Sequence, residues 1–144
     1  YGLSPVCSIS AKDLNLKPVM SLWSELISVK TIKAGGYVGY GGLHLCLEDT
    51  KVGIVAIGYG DGYPIPVLCN MPVLINGIRC PIIGRISMDM MAIDVTNVDQ
   101  PQVGTVVELW GENLAVEELV PYTHNISYHI ITGMQHRVKF TWVE

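Results

Sequence analysis

The sequence predicts a mainly β domain, a β-barrel or folded-over sheet with one or two short helices. Short apolar runs recur between glycine-rich turns along the chain. Asn76-Gly77 lies between Val73-Leu74-Ile75 and Ile78-Arg79-Cys80, a strong hairpin pattern because a type I′ turn needs positive φ at both central positions. Helical pattern is confined to a short stretch near Ala115 to Val120 and an ambiguous one from Ile126 to Gln135.

Taken in order, Tyr1 to Lys17 reads as a connection, with Pro5, Asp13, Asn15 and Pro18 supplying turn chemistry. Val19 to Ile32 is a long strand whose imperfect alternation leaves room for a bulge, with Trp23 expected in the core. A glycine-rich loop, Gly35-Gly36-Tyr37-Val38-Gly39-Tyr40-Gly41-Gly42, follows. Val52 to Ile57 fits a strand buried on both faces, and it ends in the tight turn Gly58-Tyr59-Gly60-Asp61-Gly62-Tyr63-Pro64. Ile65 to Pro72 reads as an exposed loop, since Pro66 and Pro72 block regular pairing. Beyond the Asn76-Gly77 hairpin, Pro81 to Val95 divides into two strands joined near Arg85 to Asp89. Gly104 to Trp110 is another strand with Glu108 outward, and Asn113 is placed to cap the short helix that Pro121 closes. Val138 to Val143 reads as a last strand with Phe140 and Trp142 on one side.

Of the 144 residues, 49% are hydrophobic and 15% charged, enough apolar material for one compact core. A net charge of -4 with nine Lys and Arg lacks the basic footprint of a nucleic-acid binder. No apolar run approaches the roughly 20 residues of a membrane-spanning helix. Cys7, Cys46, Cys69 and Cys80 form no C-x-x-C pair and share no zinc-ligand spacing with the four histidines, so no metal is expected. Scattered cysteines beside a good core read as reduced, buried thiols of a cytoplasmic protein. The start Tyr1-Gly2-Leu3-Ser4-Pro5, without Met or a signal pattern, reads as a cut inside a longer chain.

Chemistry concentrates in the turns. Glycines around Tyr40 suit a backbone that needs positive φ or close approach, and such a loop can present one phenol to a shared pocket. Asp61 can brace its own turn as an Asx-type acceptor or serve as a carboxylate catalyst. Joining two strands near Arg85 to Asp89 puts an arginine, a hydroxyl and a carboxylate at one end of a sheet. Met88 has no functional role through its side chain there, but its backbone amide is a donor.

Four stretches in this order and spacing resemble the C-terminal domain of alanine racemase. They are Val38-Gly39-Tyr40-Gly41, Gly58-Tyr59-Gly60-Asp61-Gly62-Tyr63, Gly84-Arg85-Ile86-Ser87-Met88-Asp89 and Ile126-Ser127-Tyr128. The opening five residues resemble the segment where that enzyme leaves its N-terminal barrel. The tyrosine-loop glycines and Ser87-Met88-Asp89-Met90 look more like the catabolic bacterial branch. The resemblance implies a connection over 1–17 from a missing (β/α)8 barrel and a C-terminal β domain over 18–144. It implies a pyridoxal 5'-phosphate enzyme that interconverts L- and D-alanine, a head-to-tail homodimer in which the β domain of one subunit closes the site on the other's barrel. Tyr40 matches the second acid/base, and Met88 the residue whose main-chain amide meets the substrate carboxylate. Tyr59 matches a tyrosine at the inner end of the substrate passage, and Tyr128 one near the cofactor phosphate. Arg85 and Asp89 match residues further out along the passage. Ile65 departs from an arginine common in relatives, and His129 from a glutamate after the tyrosine.

Residue chemistry agrees with that implication. Racemisation takes a proton from one face of the α-carbon and returns one to the other, so two acid/base groups must flank it. A phenol of ordinary pKa near 10 is ionised only about once in a thousand at pH 7, so a tyrosine in this role needs a nearby cation. The cofactor lysine falls in no segment here, which implies a fragment inactive by itself. Two alternatives remain beside this reading: an amino-acid racemase of broader specificity, separable by rates on alanine, serine and lysine, and a non-catalytic β-barrel interaction module in which Tyr40 is only a packed aromatic.

Overall fold

The computed structural model describes residues 2–5 and 9–143. Among the described residues eight strands form: β1 (Leu22–Ile32), β2 (Tyr37–Val38), β3 (His44–Leu45), β4 (Thr50–Val55), β5 (Pro72–Ile75), β6 (Ile78–Ile83), β7 (Met91–Asp94) and β8 (Val106–Trp110). Six of them close an antiparallel barrel in the order β1-β4-β7-β6-β5-β8, and β2 and β3 make a separate two-stranded hairpin. Two 3₁₀ segments, Tyr59–Asp61 and Val116–Tyr122, and one α-helix, α1 (Ser127–Thr132), complete the domain. The mainly β expectation with short helices holds.

Alternation along the strands explains the core. The position of Gly53 faces the side chains of Leu26, Ile93 and Val95 inside the barrel, so its neighbour Val52 faces outward. Val52 joins Val38, Cys46, Ile83 and Ala92 in a second, smaller apolar cluster, while Val55 belongs to the main core. The strand is thus buried on both faces, as its unbroken apolar run predicts. Asn76 and Gly77 carry φ of +50° and +79°, the type I′ geometry that sets the β5–β6 register from Ile75 opposite Ile78 to Pro72 opposite Pro81. β1 shifts register twice, at Leu22/Trp23 and at Leu26/Ser28, which is the irregularity its pattern foreshadows.

Several expectations give way. Trp23 is 61% exposed, because Leu22 and Leu26 take the inward positions of β1 and leave Trp23 outside. Pro72 opens β5 instead of ending a loop, the first-residue position where a strand tolerates proline. Asn113 does not cap the following helix: its backbone and side-chain N–H groups donate to Glu108 at 2.9 Å each, and Pro121 sits inside the 3₁₀ segment. Residues 138–143 form no strand, and Trp142 is 92% exposed. Pairing of β1 with β8 closes the sheet, so no barrel edge remains for another strand. Among the thiols, Cys46 and Cys80 are buried but Cys69 is exposed, and Cys7 lies outside the described residues.

Candidate functional site

Tyr40 stands at the tip of the β2–β3 hairpin. Gly35 N–H donates to Cys46 carbonyl at 2.8 Å and Cys46 N–H to Gly36 carbonyl at 2.9 Å, which ties the hairpin's root. At the tip, Gly42 N–H donates to Gly39 carbonyl at 3.1 Å. Tyr40 is the second residue of that turn and Gly41, with φ of +77°, the third, as a type II turn requires. The Tyr40 side chain is 77% exposed. A tyrosine packed in this domain's own interior is therefore excluded.

A backbone contact fastens this turn to the next candidate loop. A Cβ on Gly39 would lie 2.8 Å from Arg85 N, and one on Gly84 would lie 2.8 Å from Val38 O. Both residues have positive φ, so the two glycines let the tyrosine turn and the Arg85 loop touch main chain to main chain. That loop ends as a hairpin tip: Ser87 N–H donates to Met90 carbonyl at 2.9 Å, and the Ser87 hydroxyl donates to the same carbonyl at 2.8 Å. Met88 and Asp89 are the two residues at the tip, and both are exposed.

The turn after β4 lies flat on this tip. Tyr59 N–H donates to Ser87 carbonyl at 3.1 Å and Gly60 N–H to Met88 carbonyl at 2.8 Å. Side chains at Gly58 or Gly60 would run into those same carbonyls, and one at Gly62 would overlap Gly133 carbonyl. The spacing Gly58-Tyr59-Gly60-Asp61-Gly62 thus follows from close packing on two sides. Asp61 Oδ2 accepts Gly58 N–H at 2.8 Å, which makes it the turn brace, and its other oxygen accepts Arg137 Nε at 2.6 Å. Arg137 Nη2 also donates to Asp89 at 2.8 Å and to Met88 carbonyl at 3.1 Å. Hydrogen bonds to Asp61 and then Asp89 push the Arg137 guanidinium further up from its already high range, so it is a permanent cation here.

Tyr40, Arg85, Met88, Asp89 and Tyr59 are therefore carried by loops in mutual contact. Tyr128 is half-buried on α1 and lines a cleft of about 1240 Å³ between residues 2–5 and 9–18 on one side and 111–128 on the other, which none of the other five lines. Arg137 was missed by sequence reading. Its neighbours Gln135 and His136 give no sign of the role; the one signal in the sequence is the turn carboxylate Asp61, which has no Lys or Arg within ten residues of it except Lys51 on the far side of β4. Core groups stay neutral: burial pushes the Cys80 thiol up to about 11 and the Tyr63 phenol, stacked on Trp110, well above its ordinary range. Among the described residues no three His, Cys, Asp or Glu are placed to hold a metal ion, and no helix is long and apolar enough to cross a membrane.

Fold and site together define a β-barrel domain whose interior is filled and whose candidate chemistry lies on linked rim loops. Residues 19–142 match the family model described as alanine racemase, C-terminal domain. An alanine racemase from Piscirickettsia salmonis is 44% identical over all 144 residues, which span 87% of it. The crystal structure of biosynthetic alanine racemase from Pseudomonas aeruginosa superposes with a TM-score of 0.92 at 39% identity, covering 96% of this chain and 38% of that one. Alanine racemase from Bartonella henselae, solved with covalently bound pyridoxal phosphate, gives a TM-score of 0.80 at 32% identity, covering 85% of this chain and 34% of that one. The chain belongs to the alanine racemase C-terminal domain family. It spans little more than a third of the two solved enzymes.

Proposed function

We propose that residues 18–144 serve as the C-terminal domain of a cytoplasmic, pyridoxal 5'-phosphate-dependent alanine racemase, with residues 1–17 as the connection from an N-terminal (β/α)8 barrel. The observation that carries this reading is the exposed Tyr40, held on a turn that packs against the Arg85–Asp89 loop. A phenol so placed is useless to its own barrel. It can reach a substrate only in a cavity supplied from outside, and the barrel of a second subunit in a head-to-tail homodimer supplies one.

In this reading the Tyr40 hydroxyl exchanges the α-proton on one face of alanine, with an acid/base group of the barrel on the other. Met88 N–H donates to the substrate carboxylate, Tyr59 lines the inner passage, and Arg85 and Asp89 stand further out along it. Tyr128 fits the cofactor: a phenol that lines a large cleft offers a donor to a phosphate oxygen, while the lysine that carries the group belongs to the N-terminal barrel. The bound cofactor supplies an electron sink for the substrate's α-carbon.

Tyr40→Phe in the full-length enzyme tests the proposal. Removing an acid/base group lowers the L-to-D rate by about 10²- to 10⁴-fold, and an unchanged rate rules the assignment out. The isolated 144-residue chain is expected to show no turnover.

A further inference from the structure

Met88 N–H and Ser87 C=O belong to one peptide plane, and no described peptide bond is cis, so the two groups point in opposite directions. Tyr59 N–H holds Ser87 carbonyl on the side of the Tyr59 turn. Met88 N–H therefore points away from that turn, and it donates to no other described residue. The next peptide plane is fixed as well, since Met88 carbonyl accepts both Gly60 N–H and Arg137 Nη2. With the planes on both sides held, the direction of the Met88 amide is set.

Arg137 hydrogen-bonds to both halves of this arrangement. It reaches Asp61, the brace of the Tyr59 turn, and at the same time Asp89 and Met88 carbonyl on the facing tip. Gln135 N–H donates to Asp61 carbonyl at 2.9 Å, which seats the segment bearing Arg137 against the same turn. A planar guanidinium can bridge two carboxylates and a carbonyl in fixed directions, whereas an ammonium is a single point of charge. An exposed ion pair alone contributes little, but a shared network with several fixed partners holds geometry. We propose that Arg137 is a positioning residue for substrate binding, aligning the Met88 amide and the Tyr59 turn for the substrate carboxylate without touching the substrate. This rests on the racemase reading given above.

The test uses the full-length, cofactor-loaded enzyme, with propionate as an inhibitor that carries the carboxylate but no amine. In Arg137→Met, KM for L-alanine and Ki for propionate rise about tenfold, the scale of one lost charge-assisted contact, while kcat moves less than about threefold because the acid/base pair is intact. Arg137→Lys retains the charge but cannot span all three acceptors, so both constants rise by roughly threefold; it decides the matter if Arg137→Met does not fold. Unchanged KM and Ki, with or without a lower Tm, overturn the inference, as does a loss confined to kcat. Tyr40→Phe is the parallel control. Full activity there removes the racemase reading itself, whereas its expected loss beside unchanged constants in both Arg137 variants removes only the role of Arg137.

Discussion

The barrel and the β2–β3 hairpin are built on opposite plans. Leu26, Val55, Ile93, Val107 and Leu109 are fully buried in the barrel, and its shape follows from their packing. In the hairpin Tyr37, Tyr40, Leu43 and Leu47 are exposed, and only Val38 and Cys46 turn inward, onto the outer face of β4, β6 and β7. Main-chain hydrogen bonds and the Gly39–Gly84 contact hold it instead. Stability and the catalytic candidate thus occupy separate parts of one domain, and mutations ought to separate them.

The largest effect expected is the loss of turnover in Tyr40→Phe of the full-length enzyme, with a Tm close to the parent's because Tyr40 is largely exposed on this domain. Its mirror is Ile93→Ala. Truncating a fully buried isoleucine costs about 2–5 kcal/mol, read as a lower urea midpoint, while kcat of the folded fraction stays near the parent value. A common loss of rate in both variants would break the division. Gly39→Ala tests the seam between the two parts. A φ of +84° alone costs about 1–2 kcal/mol of stability, a Cβ 2.8 Å from Arg85 N adds to that by forcing the two loops apart, and displacement of the tyrosine turn lowers kcat roughly tenfold. A pure stability change there would mean that the Gly39–Gly84 contact does not aim Tyr40.

The same division decides what was legible in the sequence. Local rules reach the Asn76-Gly77 hairpin, the doubly buried β4 and the loop positions of Tyr40, Tyr59 and Met88, since each depends on residues within a few positions. Closure of β1 on β8 joins residues about 85 apart and leaves no local mark. A strand over 138–143 rests on period-two aromatics alone, and a barrel closed by distant strands offers it no edge to pair with. Arg137 leaves no local mark either, because its acceptors come from turns 76 and 48 residues away. Trp23 failed for a related reason: its hydrophobicity says nothing about which face of a bulged strand it occupies.

The smallest predicted effect concerns the hairpin's root. Asp49 Oδ2 accepts Lys33 Nζ at 2.6 Å and Oδ1 accepts Ala34 N–H at 3.0 Å. Lys33 and then Ala34 hold the Asp49 carboxyl below its ordinary value, and Asp49 in turn raises Lys33. A depressed carboxylate contributes above its unfolded pKa near 3.9 and loses that contribution as pH falls through the lower folded value; a raised lysine contributes fully below about 10.4 and loses it as pH rises through the higher folded value. The brace is therefore complete between about pH 4 and pH 10. Both side chains are solvent-exposed, so global stability should barely respond. Local hydrogen exchange is the sensitive measurement: relative to barrel amides, protection at Ala34 holds from about pH 7 to pH 5 and declines as Asp49 is protonated below about pH 4. Asp49→Asn should show weaker protection at Ala34 without that acid decline. An identical decline in the substituted chain would mean that the pair does not brace the hairpin, leaving its main-chain hydrogen bonds and the glycine contact to set where Tyr40 points.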